Sequence, residues 1–267
     1  MPLKRQKLME NIPEVRILGV KVADLDEKSV ISQVLKLAKD KKGCHQVVTI
    51  NAEFVMMARR DPNFAKILEG TDLAVADGQW VVWARLILGG KAHSRVTGVD
   101  LTERLCAQVA KRPITVGFLG GFGGIASEVS KRQKAVNPGL KVVFAGPGDD
   151  AIGPDLRLTK PIFGKRRIDI LFVAYGMGKQ EFWIARNIKR LNVGVAIGVG
   201  GAFDYISAVK KRAPGPMQTA GLEWFWRLAM EPARIWRMRV LPVFLVMVIW
   251  QFLGKLGKIK SPFFFNL

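Results

Sequence analysis

Cysteine and histidine are nearly absent from this chain of 267 residues: Cys44, Cys106, His45 and His93 are all it has. Two thiols and two imidazoles at unrelated spacings supply neither a disulfide framework nor a Cys/His zinc site. A lone pair of thiols fits a reducing compartment. Acidic residues are scarce as well. Asp and Glu number 22 against 42 Lys and Arg, a formal charge of +20, so an anionic partner is expected: nucleic acid, an acidic membrane or a phosphorylated ligand. The basic start, Met1 to Glu10, runs into no apolar segment and no small-residue cleavage site, so no secretory signal is expected and the reading is cytoplasmic. Long hydrophobic runs are missing too. The longest, Val240 to Leu253, has 14 residues and as a helix would reach about 21 Å of a hydrocarbon core ~30 Å thick. It reads as an interfacial segment rather than a spanning one. No repeat or low-complexity tract is visible, and 49% apolar residues suffice for the core of one or two domains.

What the chain does have is alternation. Short β-branched runs at Gln46 to Ile50, Leu73 to Ala76, Ile114 to Leu119, Lys141 to Ala145, Ile168 to Ala174 and Val193 to Val199 are separated by stretches of helical periodicity. Those stretches are Glu27 to Asp40 behind an Asp26 cap, Glu53 to Glu69 broken at Pro62, Trp80 to Leu88, Asp100 to Lys111, Ile125 to Lys134 and Gln180 to Arg190. The pattern predicts an α/β fold, a Rossmann-like and mainly parallel sheet with flanking helices, over residues 1–216. Residues 217–267 have little β pattern and read as a basic, aromatic-rich helical appendage facing a membrane. From Tyr205 onward ten Lys/Arg stand against Glu223 and Glu231, a net +8.

In an open parallel sheet, ligands bind beyond the carboxyl ends of the strands. Five runs end in polar or glycine-rich exits: Thr49-Ile-Asn51, Asp77-Gly78, Gly120 to Gly124, Tyr175 to Gln180 and Gly198 to Asp204. All five are expected at one binding edge. The glycine cluster suits either a phosphate or a tight turn. Its Gly121-x-Gly123-x-x-Ala126 satisfies a loose dinucleotide fingerprint, but the following strand ends in Ala145-Gly-Pro-Gly148, with Asp149 and Asp150 only beyond, where the fingerprint wants an acid. Asp77 is a carboxylate at a strand exit, fit to be a general base or merely a turn residue. Asp204 could line a pocket or cap the helix starting near Tyr205, and Thr49 and Asn51 could bind sugar or cap a helix. Asp24-Leu-Asp26 resembles a metal-holding Asp-x-Asp element, yet its place before the first helix reads as turn plus N-cap, and no metal is expected. Cys106 reads as core, and neither histidine has the spacing of a nucleophile dyad.

In the appendage, Arg227, Arg234 and Arg237 would span about 80° of one continuous helix, although Glu231-Pro232 suits the start of a second helix. Trp224, Phe225, Trp226 and Trp236 stand among the arginines, with the apolar run and Lys255, Lys258 and Lys260 behind them. Aromatics, apolar surface and flanking cations are what a membrane-interface helix needs. Aromatics beside arginines could also stack on bases, but the apolar run favours lipid.

These marks together resemble the WecG/TagA/CpsF glycosyltransferases: Thr49-Ile-Asn-Ala-Glu53, Ala76-Asp-Gly78, Arg95-Val-Thr-Gly-Val-Asp-Leu101, Gly117-Phe-Leu-Gly-Gly121, Gly178-Lys-Gln-Glu181, Gly198-Val-Gly-Gly-Ala-Phe-Asp204 with Lys211-Arg-Ala-Pro214, and Gly221-Leu-Glu-Trp224 leading to Arg227, Glu231-Pro232, Arg234 and Arg237. The resemblance runs from about Arg16 to Arg239, departs at Ala52 where many members have proline, and gives no support beyond Arg239. It implies inverting, metal-independent transfer of a sugar, N-acetylmannosamine or a related hexose, from a UDP-sugar to a polyprenyl-diphosphate-linked sugar at the cytoplasmic membrane face. The products would be teichoic acid or other cell-surface polysaccharide. No cofactor is implied, since the UDP-sugar is a co-substrate, and a homo-oligomer stays open. Asp77 matches the proposed base and Thr49 its neighbour. Asn51, Arg95, Gly120, Gly121, Gln180, Gly200, Gly201, Asp204, Arg227, Arg234 and Arg237 are the implied substrate-binding residues. Two other classes compete: a nucleic-acid-binding α/β protein, which the resemblance disfavours as a partner class, and an NAD-dependent oxidoreductase.

Overall fold

The computed structural model describes residues 12–147, 163 and 166–257. Met1 to Glu10, Gly148, Asp149, Asp150, Lys258 and Lys260 therefore lie outside the described residues. The first element was not anticipated from sequence. Strands β1 (Glu14–Ile17) and β2 (Val20–Ala23) form an antiparallel hairpin across Leu18 and Gly19, both at positive φ (49° and 94°). A two-residue turn of that kind matches the right-handed twist of its strands.

The six expected strands all form: β3 (His45–Ile50), β4 (Leu73–Ala76), β5 (Thr115–Gly120), β6 (Lys141–Gly146), β7 (Ile168–Ala174) and β8 (Val193–Gly198). They make one parallel sheet in the order β4-β3-β8-β7-β5-β6. Near-continuous apolar runs are what a parallel strand needs when both its faces are covered. Successive side chains serve opposite faces. Val47, Leu73 and Val75 join the layer of α1 (Glu27–Ala38), α5 (Gly98–Val109), α6 (Ile125–Val136) and α8 (Ala202–Ile206). Val48, Ile50, Ala74 and Ala76 join that of α2 (Ala52–Ala58), α3 (Pro62–Glu69) and α4 (Gln79–Ile87), while Trp183 and Ile184 of α7 (Lys179–Asn187) cover β7 and β8. The Rossmann-like α/β reading is thus the observed fold.

Local chemistry sets the helix starts. Asp26 accepts the Ser29 amide at 2.7 Å and Asn51 that of Phe54 at 3.0 Å, satisfying donors that a first turn leaves orphaned. Pro62 splits the expected Glu53 to Glu69 helix in two, sitting where a missing N–H costs nothing. Asp204 does not cap: it lies inside α8, whose N-cap is Gly201.

After β8 the chain runs through α9 (Gly215–Thr219), α10 (Glu223–Met230), a 3-10 turn (Pro232–Arg234), α11 (Ile235–Met238) and α12 (Val240–Lys255). The continuous helix carrying Arg227, Arg234 and Arg237 is not observed. Glu231 is extended (φ −133°, ψ 76°), because the residue before a proline is driven out of the helical region. The apolar stretch is longer than its 14-residue core. Pro232–Lys255 gives 24 helical residues, with an 18-residue window of mean hydropathy 1.5, by length and composition enough to cross a membrane. In the fold α12 nevertheless lies on the body. Phe244 and Val248 are buried in the α2–α4 layer, and Gln251 donates to Arg16 O and accepts from Leu18 N, both at 2.8 Å. Its other side, Val243, Val246 and Ile249, is exposed.

Candidate active site

The strand order decides which exits meet. β4, β3, β8 and β7 are consecutive neighbours, and their exits line a two-lobed cleft under the C-terminal helices. The fifth exit does not join it. β5 lies three strand spacings from β3, roughly 14 Å, and neither Gly120 nor Gly121 lines either lobe. Gly120 has its own structural reason: at φ +104° a Cβ there would stand 2.7 Å from Ala174 O, so only glycine lets β5 and β7 approach.

Asp77 sits on the partition between the lobes, together with Asn51, Glu53, Arg227 and Arg234, which line both. Its backbone amide donates to Ile50 O at 2.8 Å, extending the β3–β4 pairing by one residue and fixing where the side chain starts. Burial pushes its carboxyl up to about 6; Arg227 and Arg95 pull the other way, and Glu223 and Asp100 add to the rise. A carboxylate with that pKa is ionised near neutrality yet basic enough to take a proton.

One lobe is aromatic and apolar: Gly78, Gln79, Trp80, Trp224, Met238 and Leu241, with Arg95 and Glu223 at its side. Trp80 and Trp224 meet edge to face, centroids 6.0 Å apart. Trp80 Nε1, Trp224 Nε1 and Arg227 Nε are buried donors without an acceptor among the described residues. Buried donors are rarely left so, and these three fit an acceptor-rich ligand.

The other lobe is polar. It is lined by Thr49, Gln180, Gly200, Gly201, Asp204, Lys210 and Arg237. Thr49 donates its hydroxyl to Gly198 O at 3.1 Å, leaving its lone pairs as acceptors. Gln180 is fully buried, donating to Glu181 and accepting the Gly200 amide at 2.9 Å, so it shapes the Gly200 loop. Glu181, also buried, accepts the Gly178 amide; desolvation pushes it up to about 7 against those hydrogen bonds. Asp204 pairs with Lys210 at 3.1 Å and Lys210 with Glu231 at 3.0 Å. Arg234 pairs with Glu231 at 3.3 Å, whereas Arg237 has no ion pair among the described residues. Despite the broken helix, Arg227, Arg234 and Arg237 converge on this lobe.

Sequence reasoning missed the residue that organises these cations. Glu223, 3% exposed, accepts Arg95 at 3.1 Å and Arg227 at 2.6 Å, with Arg212 at 3.7 Å. Arg212 in turn holds Asp100 at 2.7 Å. The available signals were that Glu223 is one of two acids in the last sixty residues and falls within the Gly221-Leu-Glu-Trp224 mark.

A parallel sheet between helical layers, with the Asp77 carboxylate at its carboxyl edge and arginines from a C-terminal segment around it, is an α/β fold with a cleft suited to an anionic ligand. Over residues 15–258 the chain matches the Glycosyl transferase WecG/TagA/CpsF family. It belongs to that family and is a glycosyltransferase. Similar proteins include the N-acetylglucosaminyldiphosphoundecaprenol N-acetyl-beta-D-mannosaminyltransferases of three bacteria. That of Bacillus spizizenii is 32% identical over 203 residues, 76% of this chain and 78% of the relative. Its counterpart in Bacillus subtilis is 28% identical over 241 residues, 90% of each, and in Staphylococcus aureus 27% over 244 residues, 88% of this chain and 92% of the relative.

Proposed function

We propose that the enzyme moves an N-acetylmannosamine-type hexose from a UDP-sugar to a sugar carried on a polyprenyl diphosphate, with inversion and without a metal, in teichoic acid or related cell-surface polysaccharide synthesis. Family membership and the acceptor and sugar in the relatives' names support the substrate class. The observation that carries the mechanism is Asp77, shared with Arg227 by a lobe with an aromatic wall and a more polar lobe. The polar lobe suits the UDP-sugar. The Trp80/Trp224 lobe suits the acceptor sugar, with Met238 and Leu241 leading its lipid toward α12.

In this reading the Asp77 carboxylate takes the proton of the acceptor hydroxyl as its oxygen bonds to the anomeric carbon. The bond from that carbon to the diphosphate oxygen breaks, and its electron pair leaves with UDP. Arg227, Arg234 and Arg237 face the developing charge, the role of preorganised cations in such a transition state. Metal independence rests on the donors. Glu223 and Asp100 are taken by arginines and Asp204 by Lys210, which leaves Asp77 and Glu53 short of the three or more His, Cys, Asp or Glu side chains of a metal-holding cluster among the described residues. The exposed face of α12 is proposed to rest on the cytoplasmic membrane surface, bringing the cleft to its lipid substrate.

UDP release from a panel of UDP-sugars, with a polyprenyl-diphosphate-linked N-acetylglucosamine acceptor, tests this. Asp77→Ala should lose about 10²–10⁴-fold in kcat, the usual worth of a general base, and EDTA should leave the wild-type rate unchanged. Equal rates for wild type and Asp77→Ala would remove the base; loss of turnover in EDTA, restored by a divalent ion, would remove metal independence.

A further inference from the structure

A base that shares its lobe with two guanidinium groups has a difficulty. Arg95 and Arg227 are suited to holding anionic groups, but each favours the ionised form of Asp77 and so weakens it as a proton acceptor. The structure contains a group that offsets this. Glu223 reaches Arg95 at 3.1 Å and Arg227 at 2.6 Å, one carboxylate oxygen to each. Arg95 comes from the loop ahead of α5 and Arg227 from α10, so the carboxylate ties the body to the C-terminal segment. Arg95 also donates to Gln218 O at 3.4 Å, and Arg227 lies over the Tyr205 ring at 4.7 Å, so neither guanidinium is free to wander.

We propose that Glu223 is a positioning residue of the transfer reaction: it holds Arg95 and Arg227 in place beside Asp77 and offsets their charge there, keeping Asp77 able to accept a proton. The inference rests on the reading of Asp77 as base. The charged groups lining the cleft with Asp77 or acting on it are Glu53 from α2, Arg95, Asp100 from α5, Glu223 and Arg227 from α10, Arg234 from the 3-10 turn and, in the polar lobe, Asp204, Lys210, Glu231 and Arg237. Asp100 is already engaged by Arg212 and Thr97. Glu223 therefore stands as the acid that both touches the two arginines and raises the Asp77 carboxyl after burial itself.

The test follows the Asp77 carboxyl by 13C NMR in the folded protein, alongside UDP release against pH, in wild type, Glu223→Gln, Glu223→Asp and Arg95→Gln. Glu223→Gln should move the Asp77 titration and the acid limb of the rate profile down together by about half a pH unit or more. Its kcat should fall roughly tenfold, about threefold at most from a base weaker by half a unit and the rest from the two arginines it no longer holds in place, while Glu223→Asp recovers most of both. Arg95→Gln should move the titration upward, and it serves as the second readout if Glu223→Gln fails to fold. An unmoved Asp77 titration in folded Glu223→Gln or in Arg95→Gln overturns the inference. Full activity in Asp77→Asn would instead overturn the base reading on which it rests, so the two failures are distinguishable.

Discussion

Asp77 is held in a place that does not suit a charge, and that has a stability consequence. Its carboxyl rises from 3.8 to about 6 on folding, so between those values the folded state binds more protons than the unfolded one. Stability accordingly falls as pH rises through that window, by at most ~3 kcal/mol once Asp77 is ionised. Asp77→Asn should raise the melting temperature at pH 7.5 while abolishing turnover, and the gain should vanish at pH 4. A thermal denaturation series at both pH values checks it; equal gains at both would show that ionisation is not the cause. Asp77 was visible in the sequence only as one candidate among the strand exits, since an acid before glycine serves a turn equally well; the family resemblance singled it out. Glu223 was not visible, since a glutamate in the first turn of a helix is ordinary. Its meaning depends on Arg95, 128 positions away in the chain.

Elements were legible in proportion to their length and burial. The six sheet strands were recovered to within a residue or two at each end: five are covered on both faces, and β6, an edge strand with Lys141 and Val143 exposed, still carries an apolar run. The hairpin was not, since four-residue strands with Arg16 and Lys21 among them offer too little period. The helix through Arg234 was broken by Pro232, a signal read but given too little weight. A further device lies at the other end of the sheet. His45, at the start of β3, is buried between Asp40 at 2.9 Å and Asp72 at 3.0 Å, and Asp72 also accepts the Gln46 amide. Burial alone would depress the imidazolium; hydrogen bonds and charge from Asp72 and Asp40 outweigh it, so His45 is raised above 6.5. Its stabilisation is therefore complete below pH 6.5 and lost as pH rises through the raised value. Asp40 is held below its ordinary 3.8 despite burial, by His45 and the Lys42 amide, so its share is lost only when pH falls through that lowered value. His45→Ala should cost about 3 kcal/mol at pH 6, the order expected when one partner leaves a buried charge set. At pH 9.5 the cost should be smaller, as urea unfolding at the two pH values will show; an equal cost would assign His45 to packing alone.

At the scale of the molecule, the net +8 from Tyr205 onward now has a place: part of it is gathered around the cleft and part borders an apolar surface. Trp236 and Ile235 are exposed beside Val243, Val246 and Ile249, and Arg239 covers the Trp236 ring at 3.7 Å. A helix buried on one side and apolar on the other presents a patch that soluble surfaces seldom carry. Replacing Val243, Val246 and Ile249 with serine should weaken sedimentation with anionic phospholipid vesicles at least tenfold. Turnover of a short-chain, water-soluble acceptor should stay unchanged, and undiminished vesicle binding would place the membrane contact elsewhere. The buried side is another matter: Phe244 and Val248 are core, which composition could not reveal because both sides of α12 are equally apolar.

The two hydrogen bonds of Gln251 join α12 to the turn of the first hairpin across more than 230 residues. A ribosome makes β1 and β2 early and α12 late, at roughly 5–20 residues per second. An isolated two-stranded hairpin is marginal in water; α3 and the segment leading into β4 secure it first, through Arg16 to Glu69 and Lys21 to Thr71 O, and α12 closes over its turn about ten seconds or more after the hairpin is made. Until then the apolar side of α12 that will become core and the side that stays outside emerge together. Docking at Leu18 sorts one from the other, so the outer apolar face of α12 is defined only when its inner face is seated.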